Sequence, residues 1–161
     1  MDKFPITRKG YEKLEQEIKH LKNAERPAVI AAISTAREFG DLSENAEYHA
    51  AKEKQSFIEG RILDLEDKFS RSEIIDTSKL KFDSVKFGAT VKILDEDTEE
   101  ESIYQITGEY EADINKGRIS TKSPLAKALI GKVVGDIVEV STPKGTKAFE
   151  ILEIGFTDID N

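Results

Sequence analysis

The chain has 161 residues, with 24 Lys and Arg against 32 Asp and Glu, and a formal net charge of -8 at pH 7. Such a balance excludes a protein that coats nucleic acid by bulk electrostatics, so any nucleic-acid contact is local or reached through a partner. The absence of cysteine excludes disulfides, thiolate metal sites and a Cys nucleophile, and suits a reducing cytosol.

No apolar run approaches the roughly 20 residues of a membrane span, and the N-terminus lacks the apolar core of a signal peptide, so a cytoplasmic location is expected. His20 and His49 are the only histidines and lie far apart, which fits solvated helix positions better than a zinc or catalytic pair. The sequence changes character near residue 75, which predicts two domains, 1–76 and 77–161.

Thr7 is placed to cap a helix, although Gly10 stands where a full capping box would want Glu. From there Tyr11, Leu14, Ile18, Leu21, Glu25, Ala28, Ala32, Thr35 and Phe39 follow a heptad stripe. A helix over residues 7–39 would be roughly 50 Å long at 1.5 Å per residue. Pro27 removes an amide donor inside it and predicts a kink or local break. A second stripe, Tyr48, Ala51, Gln55, Ile58, Ile62, Leu65 and Phe69, is stricter. Two stripes joined by a short turn predict an antiparallel coiled-coil hairpin, thin near the turn where alanines dominate and thicker at the base. Periodicity alone favours a dimerisation element or a spacer over a hairpin whose shape is its function, although a dimerisation hairpin has no need of an acidic loop.

The turn itself, 40–47, is acidic. Gly40 suits the position after a helix end, where positive φ is wanted. Asp41 with Glu44 three residues on has the arrangement of a capping box for the second helix, and acidic groups there favour the helix dipole. The same two carboxylates can also project together, with Ser43 between them and Glu47 one turn behind. They would then form an incomplete oxygen site for Mg²⁺, which takes one or two protein carboxylates plus water and phosphate oxygens. A half-site of this kind is useful beside a second metal in phosphoryl-transfer chemistry.

Residues 72–84 lose the heptad and read as a linker. Beyond them the period changes to two, and residues 90–94, 102–106, 136–140 and 148–154 read as strands. The acidic stretch 95–101 reads as a solvated hairpin loop, and residues 142–145 as a turn. Ser123 as N-cap, Pro124 at the first helical position and Gly131 past the end bracket a short helix over 125–130. An antiparallel sheet with one helix against it makes the whole chain α+β.

The stretch Ala36-Arg37-Glu38-Phe39-Gly40-Asp41-Leu42-Ser43-Glu44-Asn45-Ala46-Glu47-Tyr48-His49-Ala50-Ala51-Lys52-Glu53 resembles the tip of the bacterial transcript cleavage factors, the Gre family. The resemblance continues at residues 57–62, 87–91 and 123–132, in the family's order, and the acidic balance is closer to the GreA branch than to the more basic GreB branch. It implies an N-terminal coiled-coil hairpin followed by a C-terminal domain of FKBP-like shape. It further implies an accessory factor and not an enzyme: a transcription elongation factor that docks on RNA polymerase and inserts its tip into the secondary channel. There it would stimulate the polymerase's own cleavage of backtracked RNA.

Carried onto this chain, the resemblance makes Asp41 and Glu44 the acids that share a Mg²⁺ with the polymerase, with Ser43 as helper. It makes Arg37, Lys52 and Lys54 a basic patch near the nascent RNA 3′ end, against the plainer reading of solvated helix charges pairing as Glu38 with Lys52 would. It places Ser123, Pro124 and Leu125 at the polymerase contact, where the residues alone read as a capped helix start. DNA binding is a further expectation, whereas a small-molecule substrate and a membrane are not. The rival readings are a channel-binding regulator that inhibits the polymerase without cleavage, and a coiled-coil adaptor with no polymerase link. Prolyl isomerisation is not implied, since fold is no warrant for function.

Overall fold

A computed structural model describes residues 2–40 and 45–156 of the chain. Contacts divide it into two compact units, one of Met1–Asp2 and Tyr11–Ser72, the other of Lys3–Gly10 and Glu73–Asn161. No helix among the described residues is long and apolar enough to cross a membrane.

The first unit is a helical hairpin. Its first arm runs through α1, Arg8–His20, a π-helical turn, Leu21–Glu25, and α2, Arg26–Arg37. Its second arm is α3, Ala46–Arg71. Thr7 does cap the first helix, accepting the Gly10 amide on Oγ1 at 3.0 Å. Leu14, Ile18 and Leu21 are buried as the heptad requires, and Tyr11 stacks on Phe69 with ring centroids 4.7 Å apart.

Past Leu21 the expected seam fails. Ala28, Ala32 and Thr35 are exposed and Phe39 is 70% exposed, while Val29, Ile33 and Ala36 are buried in their place. The cause is local. Pro27 has no N–H to give to the carbonyl four residues back, and its ring crowds that carbonyl. The helix does not break but widens, and the Arg26 amide donates to Leu21 O, five residues back. A π turn holds one residue more than an α turn, so every later side chain moves one position around the axis. The seam therefore passes from Leu21 to Val29 in eight residues, where a heptad would take seven.

The second arm keeps its predicted stripe, with Ile58, Ile62 and Leu65 buried and Tyr48, Ala51, Gln55 and Phe69 half-buried. Charged pairs flank the seam. Arg26 holds Glu59 in a two-pronged bridge, Nε and Nη2 each 2.7 Å from a carboxylate oxygen, and Arg61 reaches Glu17 at 3.0 Å. Lys22 pairs with Glu66. The Arg26 guanidinium keeps the Glu59 carboxyl below its ordinary pKa, and Glu59 in turn raises that of Arg26.

The second unit is built on a five-stranded sheet ordered β5-β4-β3-β7-β6. Its strands are β3, Ala89–Asp95; β4, Glu101–Thr107; β5, Arg118–Ser120; β6, Ile137–Thr142; and β7, Gly145–Phe156. The expected fully antiparallel sheet needs one correction, because β5 runs parallel to β4. A three-residue strand carries too little periodicity to be read from sequence, and β5 follows a 3₁₀ turn that redirects the chain. The stretch expected as an irregular linker is also partly ordered: β2, Ser72–Ile74, pairs with β1, Phe4–Ile6, and a 3₁₀ turn follows at Thr77–Lys79.

Alternation along β3 sends Ala89, Val91 and Ile93 into a core with Val85, Ile106, Ile119, Val138 and Ile151. Where β3 passes from Lys92 to Ile93 its partners on β7 pass from Glu153 to Ile151, so Leu152 is the bulged residue and Ile93 stays opposite the buried Ile151. The helix α4, Pro124–Leu129, closes the core with Ala126 and Leu129. The loop after β4 reaches the chain's own N-terminal segment: Glu111 accepts the Thr7 amide at 3.2 Å and also the Thr7 hydroxyl.

Candidate functional site

Asp41, Ser43 and Glu44 lie outside the described residues. The structure does describe the residues on either side of them. α2 ends at Arg37 with Glu38 as its C-cap, and the chain passes through Gly40 at φ 106°, a conformation that glycine adopts without a Cβ penalty. α3 then starts at Ala46, and its N-cap is Asn45, whose Oδ1 accepts the Tyr48 amide at 3.0 Å.

This corrects one expectation. The cap of the second helix is Asn45 and not Asp41, so a capping box from Asp41 to Glu44 does not begin α3. Three residues of N-cap type, Asp41, Ser43 and Asn45, stand within five positions, and composition alone could not choose among them.

Asn45 also uses its other half. Its Nδ2 donates to Ala36 O at 2.6 Å, joining the start of α3 to the end of α2. Beside that bond the Arg37 guanidinium lies over the Tyr48 ring, 5.8 Å from its centroid, a second tie between α2 and α3. Of the expected basic patch, Arg37 is thus engaged with an aromatic ring, while Lys52 and Lys54 are exposed on α3. Lys52 Nζ donates to Gln55 Oε1 at 3.4 Å, and among the described residues no ion pair joins it to Glu38.

In the second unit Ser123 and Pro124 begin α4 as expected: Ser123 Oγ accepts the Ala126 amide at 3.2 Å, and Pro124 occupies the first turn. Pro124 is exposed, whereas Leu125 packs partly against the core. Sequence reading missed the exposed apolar residues that follow, Val133 at 45%, Val134 at 57% and Ile137 at 60% exposure. A run of valines and isoleucines next to a strand reads as core, and only the structure shows these side chains in solvent.

Among the described residues no group of three or more His, Asp or Glu could hold a metal ion. Asp41 and Glu44 supply hard carboxylate oxygens, the donor type that Mg²⁺ takes. Two such groups suit a shared site better than a self-sufficient one.

Residues 4–74 match the family model described as transcription elongation factor, N-terminal, and residues 79–156 match that of the GreA/GreB C-terminal domain. The chain is 64% identical to transcription elongation factor GreA of Caulobacter sp. (strain K31) over 154 residues, 96% of this chain and 98% of that one. It is 62% identical to GreA of Rickettsia conorii over 158 residues, 98% of each. Among solved structures it aligns with the transcription factor Gfh1 at 29% identity and a TM-score of 0.47, over 96% of this chain and 99% of that one. These matches speak of transcription elongation and lend no support to DNA binding by the chain itself, in keeping with its net charge of -8. With both halves matched in order and near-complete coverage of relatives at this identity, the chain belongs to the GreA/GreB family of transcription elongation factors.

Proposed function

We propose that this chain works as an accessory factor of RNA polymerase in the cytoplasm, lending two carboxylates to an active site that is not its own. The C-terminal unit docks on the polymerase through the start of α4, at Ser123, Pro124 and Leu125. The hairpin enters the secondary channel and delivers Asp41 and Glu44 to the backtracked RNA. The observation that supports this reading is the match of 64% and 62% identity, over nearly the whole chain, to relatives named transcription elongation factor GreA; that Asn45 and not Asp41 is the N-cap of α3 is in keeping with it.

Asp41 and Glu44 would hold a Mg²⁺ jointly with the polymerase, and that ion when bound supplies charge stabilisation and an activated water. The chain's own groups do the rest. The carboxylates accept hydrogen bonds from water and orient it for attack at phosphorus, with Ser43 as a further acceptor or donor. The water oxygen forms the new bond to phosphorus as the bond to the 3′ oxygen breaks; that oxygen takes up a proton and becomes a 3′ hydroxyl. Lys52 and Lys54, with the edge of Arg37, present positive charge to the phosphates of the displaced RNA.

The test is cleavage in a stalled, backtracked elongation complex, comparing the wild type with Asp41→Ala and Glu44→Ala at equal occupancy. We expect only the wild type to accelerate cleavage, and the isolated chain with Mg²⁺ to hydrolyse no RNA. A wild type that slows elongation without accelerating cleavage would make the protein a channel-blocking inhibitor instead.

A further inference from the structure

We propose that the outer face of α3 makes a contact of its own with RNA polymerase: a notch at Gly60, walled by Phe57 and Leu63, seats a polymerase helix that has an apolar ridge and basic flanks. This inference rests on the reading above that the hairpin is the part that enters the polymerase.

At about 100° per residue, Gly60 stands about 160° round α3 from Ile58 and Ile62. Those two are buried on the seam, so Gly60 faces away from the first arm and is exposed. It is the one glycine in the 26 residues of the helix. Its φ is not positive, and a Cβ built on it meets nothing within 4 Å. Neither backbone conformation nor packing inside the chain therefore calls for glycine, and alanine would make the more stable helix. A partner that approaches the backbone closely does call for it.

Two large apolar side chains mark the same face. Phe57 and Leu63 lie one on each side of Gly60, about 60° round the axis from it. They are 72% and 70% exposed. Bare backbone between two apolar walls is the kind of groove into which the side-chain ridge of a second helix packs.

Charge decides what fits. Glu53 and Asp67 stand two turns before and after Gly60 on its own face. Asp67 pairs with Arg71 of the same helix at 3.1 Å, and Glu53 makes no ion pair among the described residues. Such a face repels an RNA strand. It also repels a second copy of itself. Lying antiparallel across Gly60, two copies would set Glu53 of one against Asp67 of the other, and lying parallel they would set Glu53 against Glu53. A helix whose apolar ridge is flanked by Lys or Arg answers both the notch and the acids.

The experiment uses the whole chain on backtracked elongation complexes, with cleavage rate measured against factor concentration, polymerase affinity by competition, and folding by thermal melting. Gly60→Gln fills the notch with a better helix former, Phe57→Ala removes one wall, and Glu53→Lys reverses one flank. We expect Gly60→Gln to melt about 1–3 °C above the wild type. It should nevertheless need about tenfold more factor for half-maximal cleavage, with the rate at saturation unchanged. A glycine with only a structural role would not give those opposite signs. Phe57→Ala and Glu53→Lys should each raise the half-saturating concentration about fivefold without lowering the melting temperature.

An unchanged half-saturating concentration for Gly60→Gln would overturn the notch, and so would a loss confined to the rate at saturation. Tighter binding by Glu53→Lys would overturn the basic partner. A wild type that sediments as a dimer, with Gly60→Gln monomeric and binding polymerase normally, would give the notch to a second copy instead. If the wild type neither binds polymerase nor accelerates cleavage, the proposed function falls and this inference with it. If the wild type does both and Gly60→Gln matches it, only the notch falls.

Discussion

The side chain of Asn45 donates to the carbonyl of Ala36 at 2.6 Å, so the last turn of α2 and the first turn of α3 are held by one residue. Its acceptor half is a helix cap, and replacing such a cap by Ala costs about 0.5–2 kcal/mol. We expect Asn45→Ala to lower the melting temperature of the chain by that loss and Asn45→Ser to recover most of it. Calorimetry on the two variants measures the difference.

The π turn makes a prediction about length. Removing Asn23 together with Pro27→Ala should convert Leu21–Glu25 into ordinary α-helix while keeping Val29, Ile33 and Ala36 on the seam. We expect that variant to melt within a few degrees of the wild type. Removing Ala31 instead turns Ile33 and Ala36 about 100° off the seam. The lost burial of Ile33 alone should then cost about 1.5–3 kcal/mol. Equal melting of the two deletions would mean that the extra residue of the π turn does not set the register.

Gly108 sits where no side chain fits, since a Cβ there would stand 2.1 Å from Pro5 O. The obstacle is backbone, which cannot swing aside. Gly108→Ala should therefore cost about 1–3 kcal/mol, the usual penalty of overpacking, measured by urea unfolding.

Glu111 gives a pH dependence. Burial pushes its carboxyl above the ordinary value of 4.5, against the lowering effect of hydrogen bonds from Thr7 and Gly108. The folded chain thus holds this proton more tightly than the unfolded chain, so stability from this group is full below about pH 4.5 and declines as pH rises through the raised folded value. Asp76 runs the other way. Hydrogen bonds from the Ser78 hydroxyl and amide hold it below 3.8, so its contribution is present above that value and is lost as pH falls through the lowered one. We expect Glu111→Gln to remove the first dependence and leave the second, read from unfolding curves between pH 3 and 7.

Much of the fold was legible in the sequence because it follows from repetition. The stripe of the second arm, the four longer strands, and Ser123 and Pro124 at the start of α4 are each specified by several residues that agree. What escaped depends on single events. Pro27 announced a disturbance, but whether a helix kinks, breaks or widens is settled by the side chains beyond it. Val29 and Ile33 fill the seam better than Ala28 and Ala32 do. β1, β2 and β5 are three residues each, too short for a period. At the tip, the acids stood out by charge, while Asn45, a neutral residue among better-known candidates, carried no sequence signal that it bonds in two directions.

The central claim is that Asp41 and Glu44 act on RNA inside another protein. Asp41→Asn tests it most directly, since it removes one negative charge with almost no change of shape. At saturating factor on a backtracked complex we expect cleavage to fall about 100-fold or more while the concentration for half-saturation stays put. Wild-type cleavage by Asp41→Asn, or a loss that follows weakened binding alone, would contradict it.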